Sequence, residues 1–74
     1  MVYERINSAI EQHGLKQKAV AERIGVSEQV FSAMLSGRRK ISVDEFFRIC
    51  VVLGETPSAL YGFQPNDEKV KQNA

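Results

Sequence analysis

The side chains best suited to chemistry in this chain are hydrogen-bonding and basic groups around residues 28–35. Gln29 and Ser32 place an amide and a hydroxyl one helical turn apart, and such groups bond the edges of nucleotide bases. Two basic clusters flank them in the sequence: Lys16, Gln17 and Lys18 before, and Arg38, Arg39 and Lys40 after. Side chains of these types bind phosphate oxygens. The pattern predicts binding to a nucleic acid, although each cluster taken alone is also typical of solvated surface charge.

Groups that support catalysis or metal binding are sparse. The sequence has one histidine, one cysteine, no glycine-rich phosphate loop and no evident pair of carboxylates. One cysteine allows no intramolecular disulfide, and with one histidine no plausible zinc cluster forms. We therefore expect no enzyme activity, no cofactor and no metal. Cys50 shares a helical face with Phe46, Ile49 and Leu53, which favours a core role over the alternative of a redox switch.

Two short helices joined by a tight turn are predicted to position the hydrogen-bonding groups. Apolar residues at helical spacing mark their packed faces: Val20 and Ile24 in the first helix, Phe31 and Met34 in the second, and Val26 between them. Ala21 is small where the helices would cross, and Gly25 permits the left-handed conformation that ends a helix. Ser27 can cap the second helix, and Glu28 complements its dipole. The second helix is thus predicted from about Glu28 to Leu35.

Three further helices are predicted on either side of this pair. The first follows the apolar positions Val2, Ile6, Ala9 and Ile10 and ends at His13-Gly14. Ser42 and Glu45 form a capping box that starts the fourth, with Ile41 and Phe46 as a hydrophobic staple. Thr56 and Pro57 fit the cap and first position of a short fifth helix ending near Tyr61-Gly62. We predict a domain over residues 1–63 and a polar, disordered tail over residues 64–74.

Composition is typical of one small domain, and the five predicted helices, joined by short connections, should pack as one compact all-α domain. The 74 residues are 43% hydrophobic and 26% charged, which excludes both a disordered chain and a membrane-spanning one. A chain this short buries only about 60% of its unfolded surface, so its stability should be modest. The apolar run at residues 49–53 is far shorter than the roughly 20 residues that a bilayer requires. The N-terminus does not resemble a signal peptide, and we expect a cytoplasmic protein.

In order and spacing, these features resemble the lambda-repressor/Cro-like family of helix-turn-helix proteins, also called the phage-repressor or xenobiotic-response-element type. The matching residues are Leu15 and Gln17, Ala21, Gly25-Val26-Ser27, Phe31 and Ser36-Gly37-Arg38-Arg39. The resemblance continues through residues 41–54 and 56–62 and covers roughly residues 2–63. It implies a five-helix lambda-repressor-like DNA-binding domain with the helix-turn-helix at helices two and three. Lys16 departs from the family, which usually has Thr or Ser there, and replaces a cap hydroxyl with a cation.

Base contacts are then expected from the outward side chains of the second motif helix: Ser27, Glu28, Gln29, Ser32 and Ala33. Gln29 is the strongest candidate, because a carboxamide bonds adenine N6 and N7 together. Ser32 donates or accepts and is less selective, and Ala33 can touch a thymine methyl. Glu28 has two interpretations: it accepts from cytosine N4, or it only complements the helix dipole.

The distribution of charge along the chain supports DNA binding by the motif more than the net charge does. The formal net charge is only +1. Residues 1–40 hold seven basic and four acidic residues, whereas residues 41–74 hold three basic and five acidic ones. The positive half therefore contains the motif, as expected for a surface that faces phosphates.

One short recognition helix spans only a few base pairs, and the resemblance implies a homodimer, at least on DNA, with half-sites about 34 Å apart. Apolar residues in excess of the core's needs are expected to form the dimer interface: Phe47, Val51, Val52 and Phe63. The alternative is that a small helical domain buries its fourth helix on all sides.

Two classes of function remain. The first is a sequence-specific transcriptional regulator that binds double-stranded DNA, a stand-alone phage or prophage-type repressor on a pseudo-palindromic operator, without a membrane or a small-molecule ligand. The second is a protein-interaction module, such as an antitoxin with an autoregulatory helix-turn-helix whose tail, residues 63–74, folds onto a partner protein. Deleting the tail separates them, because a pure repressor should retain operator binding.

Overall fold

The computed structural model describes residues 1–62, which form five α-helices and no strand. The helices are α1 (Val2–Gln12), α2 (Gln17–Ile24), α3 (Glu28–Leu35), α4 (Val43–Leu53) and α5 (Pro57–Tyr61). α2 packs against α3 and α4, and α1 packs against α3 and α5. The predicted five-helix, all-α fold is confirmed. The predicted domain boundary at Phe63 and the predicted tail over residues 64–74 lie outside the described residues.

All five helices contribute apolar side chains to one core. Its buried members are Ile6, Ala9, Ile10, Val20, Ala21, Ile24, Phe31, Met34, Leu35, Ile49, Cys50, Leu53 and Leu60. Burial, and to a lesser degree the charge of Glu55, raises the pKa of the Cys50 thiol, so this side chain packs as a neutral group. The predicted core role of Cys50 is confirmed.

Local side-chain caps mark the starts of α3, α4 and α5. The Ser27 hydroxyl accepts a hydrogen bond at 3.1 Å from the backbone N–H three residues later, and the Thr56 hydroxyl does the same at 3.1 Å. At the start of α4, the Glu45 N–H donates to Ser42 Oγ at 3.1 Å, and the Ser42 N–H donates to Glu45 Oε1 at 2.9 Å. Caps of this kind contribute about 1 kcal/mol each, and all three were predicted.

One side-chain contact links the end of α1 to the loop between α4 and α5. His13, the residue that caps α1, lies with its Nε2 atom 3.0 Å from Glu55 Oε2 in the loop between α4 and α5. The contact joins two residues that are 42 positions apart in the sequence. Within residues 1–62, no helix is long and apolar enough to cross a membrane.

Candidate nucleic-acid interface

The helix-turn-helix unit of α2 and α3 is anchored by its inner faces. Val20, Ile24 and Phe31 are each at most 1% exposed. Gly25 ends α2 with a φ of +83°, and Val26 in the turn packs against the core. A side chain with a Cβ is strained at such a φ. The turn therefore fixes the direction in which the chain leaves α2 and the angle at which α3 lies.

The outer side of α3 carries the side chains predicted to contact bases. Glu28, Gln29 and Ser32 are exposed, and Ala33 is half-buried. Gln29 lies three residues before Ser32 and four before Ala33, so these three share one helical face. Their amide, hydroxyl and methyl groups form a short surface of mixed hydrogen-bonding and apolar character.

Two neighbouring residues, Ser27 and Val30, stabilise α3 itself. The Ser27 hydroxyl is exposed, but it accepts the Val30 N–H at 3.1 Å, which leaves mainly its proton for another partner. Val30 is half-buried and packs against the core. Val30 is therefore apolar because it packs against the core, and it is not expected to contact bases.

The first basic cluster lies at the start of α2. Lys16 is the N-cap residue and makes no side-chain cap bond, as expected for a cation in place of a hydroxyl. Lys16 and Lys18 are exposed, and Gln17 is half-buried. Two positive side chains therefore lie at the end of a helix where unpaired backbone N–H groups also favour anions.

The second basic cluster lies in a tightly bonded loop directly after α3. The carbonyl oxygen of Ala33 accepts hydrogen bonds from Ser36 Oγ at 3.1 Å and from the backbone N–H groups of Arg38 and Arg39 at 3.0 and 3.2 Å. The Nε of Arg38 donates to Ser36 Oγ at 2.8 Å. All three basic residues of the cluster, which ends at Lys40, are exposed.

Arg39 differs from its neighbours because it forms a bidentate ion pair with Glu45 of α4. Its Nη1 and Nη2 atoms donate to Glu45 Oε1 and Oε2 at 2.9 and 3.0 Å, and Nη1 also donates to the Lys40 carbonyl at 2.9 Å. The hydrogen bonds from Arg39, followed by those from Ser42, lower the pKa of the Glu45 carboxyl to about 2. The carboxylate is therefore ionised, and it links the loop after α3 to the start of α4.

Arg48 supports the motif in a way that the sequence did not predict. From α4, its Nη1 atom donates to the carbonyl oxygen of Ile24, the last residue of α2, at 2.9 Å. A charged donor at a helix C-terminus satisfies an otherwise unpaired carbonyl. Arg48 thus ties α4 to the point where α2 turns toward α3.

The outer face of α4 carries an apolar stripe. Val43, Phe47 and Val51 follow one another at intervals of four residues and are 69%, 49% and 80% exposed. Tyr61 of α5 is 65% exposed and lines an open groove of about 290 Å³ together with Val43 and Phe47. Val52, by contrast, is half-buried and packs against the core. Of the residues predicted for a dimer interface, two are thus prominent on this stripe, and Phe63 lies outside the described residues.

Metal sites in proteins are built from several His, Cys, Asp or Glu side chains that lie close together. Within residues 1–62, no three His, Cys, Asp or Glu side chains lie close enough together to hold a metal ion. Polar side chains lie together at the motif and its flanking loops, and also around a pocket beside α1 that is lined by Glu4, Arg5 and Gln12.

Comparison with known proteins agrees with this geometry. A family model described as helix-turn-helix, HTH_3, matches residues 6–60, which include all of α2, α3 and α4. A search of curated protein sequences and a search of solved structures each found no significant match to this chain. The matched family consists of DNA-binding regulatory domains and is not typically enzymatic. The match covers well over half of the chain, which therefore belongs to the lambda-repressor/Cro-like helix-turn-helix family.

Proposed function

We propose that this protein is a sequence-specific transcriptional regulator of the phage or prophage repressor type, which acts in the cytoplasm by occupying a pseudo-palindromic operator as a homodimer. The observation that carries the proposal is the exposed outer side of α3, where Glu28, Gln29 and Ser32 face solvent while the inner side of the helix packs in the core. A helix that is fixed in this way can present the same donors and acceptors to every major groove it enters.

Base contacts are assigned to five residues at the start and on the outer side of α3: Ser27, Glu28, Gln29, Ser32 and Ala33. Gln29 reads adenine through its amide, and such a bidentate pair supplies about 1–3 kcal/mol of discrimination. Ser27 contributes less, because its hydroxyl oxygen already accepts a backbone N–H.

Phosphate contacts are assigned to the two basic clusters that precede and follow the motif: Lys16, Gln17, Lys18, Arg38, Arg39 and Lys40. The exposure of the five cations among them supports this assignment. The bonded loop after α3 also supports it, since Arg38 is already oriented by Ser36. Contacts to phosphates fix the register of α3 on the duplex without reading sequence.

A second copy of the chain is the proposed partner of the stripe on α4. Phe47 and Val51 support this interface by their exposure, and Val52 borders it beside Arg23 and Arg48. Val51→Glu should convert a dimer to a monomer in analytical ultracentrifugation with little loss of stability, since Val51 is 80% exposed. Gln12→Glu on the exposed side of α1 is the matched control. A wild-type protein that stays monomeric at high micromolar concentration and on its operator would contradict the interface.

Two substitutions test the proposed DNA binding. On the best duplex selected from a random pool, Gln29→Ala should relax the preference at one base pair by about 1–3 kcal/mol. Lys18→Gln should weaken binding to all sequences alike and reduce the salt slope by about 1. An equal effect of Gln29→Ala on matched and mismatched duplexes, or a sequence-dependent effect of Lys18→Gln, would contradict the assigned roles.

A further inference from the structure

We propose that Glu45 is a positioning residue for DNA binding, which holds Arg39 so that the remaining donors of its guanidinium meet a backbone phosphate. The inference rests on the proposed function. It gives an acidic residue, expected from the sequence only as a helix cap, a favourable role in binding a polyanion.

The hydrogen bonds of Arg39 leave one edge of its guanidinium for a ligand. A guanidinium has five N–H donors in a fixed plane. Three of them are used by the two oxygens of Glu45 and the carbonyl oxygen of Lys40. The N–H of Nε and the second N–H of Nη2 remain, and these two lie on the adjacent edge of the plane. The Arg39 side chain is 42% exposed, and a pair of parallel N–H donors matches two phosphate oxygens.

Glu45 is itself held in place, which makes it a rigid support. Its side chain is only 12% exposed. In addition to the hydrogen bond from Arg39, its Oε1 atom accepts one from the backbone N–H of Ser42 at 2.9 Å. Arg39 is thus attached to the first turn of α4, and it loses little further conformational freedom when it binds a phosphate.

Charge alone predicts the opposite effect of Glu45 on DNA binding. Removing a carboxylate beside phosphates relieves repulsion and should strengthen binding. Asp44, the preceding residue, is exposed and makes no ion pair within residues 1–62, so Asp44→Asn measures this charge effect in isolation. Glu45→Gln makes the same change in charge but also releases Arg39. The two substitutions should therefore change the affinity for DNA in opposite directions.

The experiment measures the affinity of each variant for the selected duplex by fluorescence anisotropy, at a temperature where circular dichroism shows it fully folded. We expect Glu45→Gln to bind about 5- to 20-fold more weakly, and Asp44→Asn to bind as well as the wild type or better. Ser42→Ala weakens the cap of α4 but keeps the ion pair, so its affinity should stay within about twofold. In an Arg39→Gln background, Glu45→Gln should no longer weaken binding, because Glu45 acts through Arg39; only the charge effect measured by Asp44→Asn should remain.

Two results would overturn the role of Glu45. One is stronger binding by Glu45→Gln, similar to that of Asp44→Asn. The other is that Glu45→Gln weakens binding as much in the Arg39→Gln background as it does in the wild type. Failure of the wild type itself to bind any selected duplex would instead overturn the proposed function, and the inference with it.

Discussion

Replacing Gly37 with alanine should destabilise the protein by about 2–4 kcal/mol, whereas the same change at Gly25 should cost about 1–2 kcal/mol. Both glycines adopt left-handed backbone, with φ values of +82° and +83°. The conformational penalty of a Cβ is therefore the same at both sites, about 1–2 kcal/mol. The two sites differ in what surrounds the added carbon.

Tyr3 of α1 accounts for the additional cost at Gly37. An added Cβ there would lie 2.7 Å from Tyr3 Cζ and 2.9 Å from its hydroxyl oxygen, whereas at Gly25 nothing lies within 4 Å. Tyr3 is half-buried, so its ring must shift or the loop after α3 must move. Overpacking costs about 1–3 kcal/mol in a well-packed core, and the lower part of that range, about 1–2 kcal/mol, applies here because the contacted atoms are the outer end of a half-buried side chain. The loop also carries Arg38 and Lys40, and its displacement should weaken DNA binding as well as stability.

Urea denaturation followed by far-ultraviolet circular dichroism measures these differences. The key comparison is Gly37→Ala in the wild type and in a Tyr3→Ala background. With the ring removed, Gly37→Ala should cost no more than Gly25→Ala. Equal costs of the two glycine substitutions in the wild type, or a cost at Gly37 that Tyr3→Ala fails to reduce, would refute the steric argument.

Three further predictions concern charged residues. The Glu45 carboxyl, with its pKa lowered from 4.5 to about 2, should contribute about 1–2 kcal/mol that is fully present above pH 4.5 and is lost as the pH falls toward 2. The stability gap between wild type and Glu45→Gln, measured in urea, should therefore close over that range; a constant gap would contradict the ion pair. Arg48→Met should cost about 1–3 kcal/mol in thermal denaturation, because the Ile24 carbonyl loses its charged donor, and an unchanged melting temperature would count against it. Glu28→Gln should strengthen non-specific binding in anisotropy titrations with random duplex, since it removes a negative charge from the face proposed to meet DNA, and weaker binding would exclude that explanation.

The features that the sequence predicted correctly depend on near neighbours. Ser27, Ser42 and Thr56 each cap a backbone N–H three residues away, so residue type and local order suffice to identify them. The buried faces of the motif helices follow likewise from helical spacing. The bounds of α3, Glu28–Leu35, are those predicted.

The features that it missed depend on contacts between distant segments. Arg48 and Ile24 are 24 residues apart, and His13 and Glu55 are 42 apart, so only tertiary packing brings each pair together. Arg39 and Glu45 are only six residues apart, but their pairing depends on the path of the loop between α3 and α4, which no helical spacing predicts. Arg48 contacts the end of α2, and Glu45 contacts the loop after α3, although no sequence motif indicated either partner.

The apolar stripe on α4 is an intermediate case. The sequence predicted surplus apolar residues and included Val52, which packs against the core. It omitted Val43, which lies four residues before Phe47 and is 69% exposed. A stricter use of the four-residue interval would have grouped Val43, Phe47 and Val51 and assigned Val52 to the packed side.

The most direct test of the central claim is to select bound sequences from a random duplex pool and then follow the affinity for the winner against salt concentration. We predict an enriched inverted repeat with half-sites about one helical turn apart and a steep negative dependence of log affinity on log salt. A pool that enriches no motif, with binding that is weak at every salt concentration, would contradict sequence-specific regulation and favour a protein partner instead.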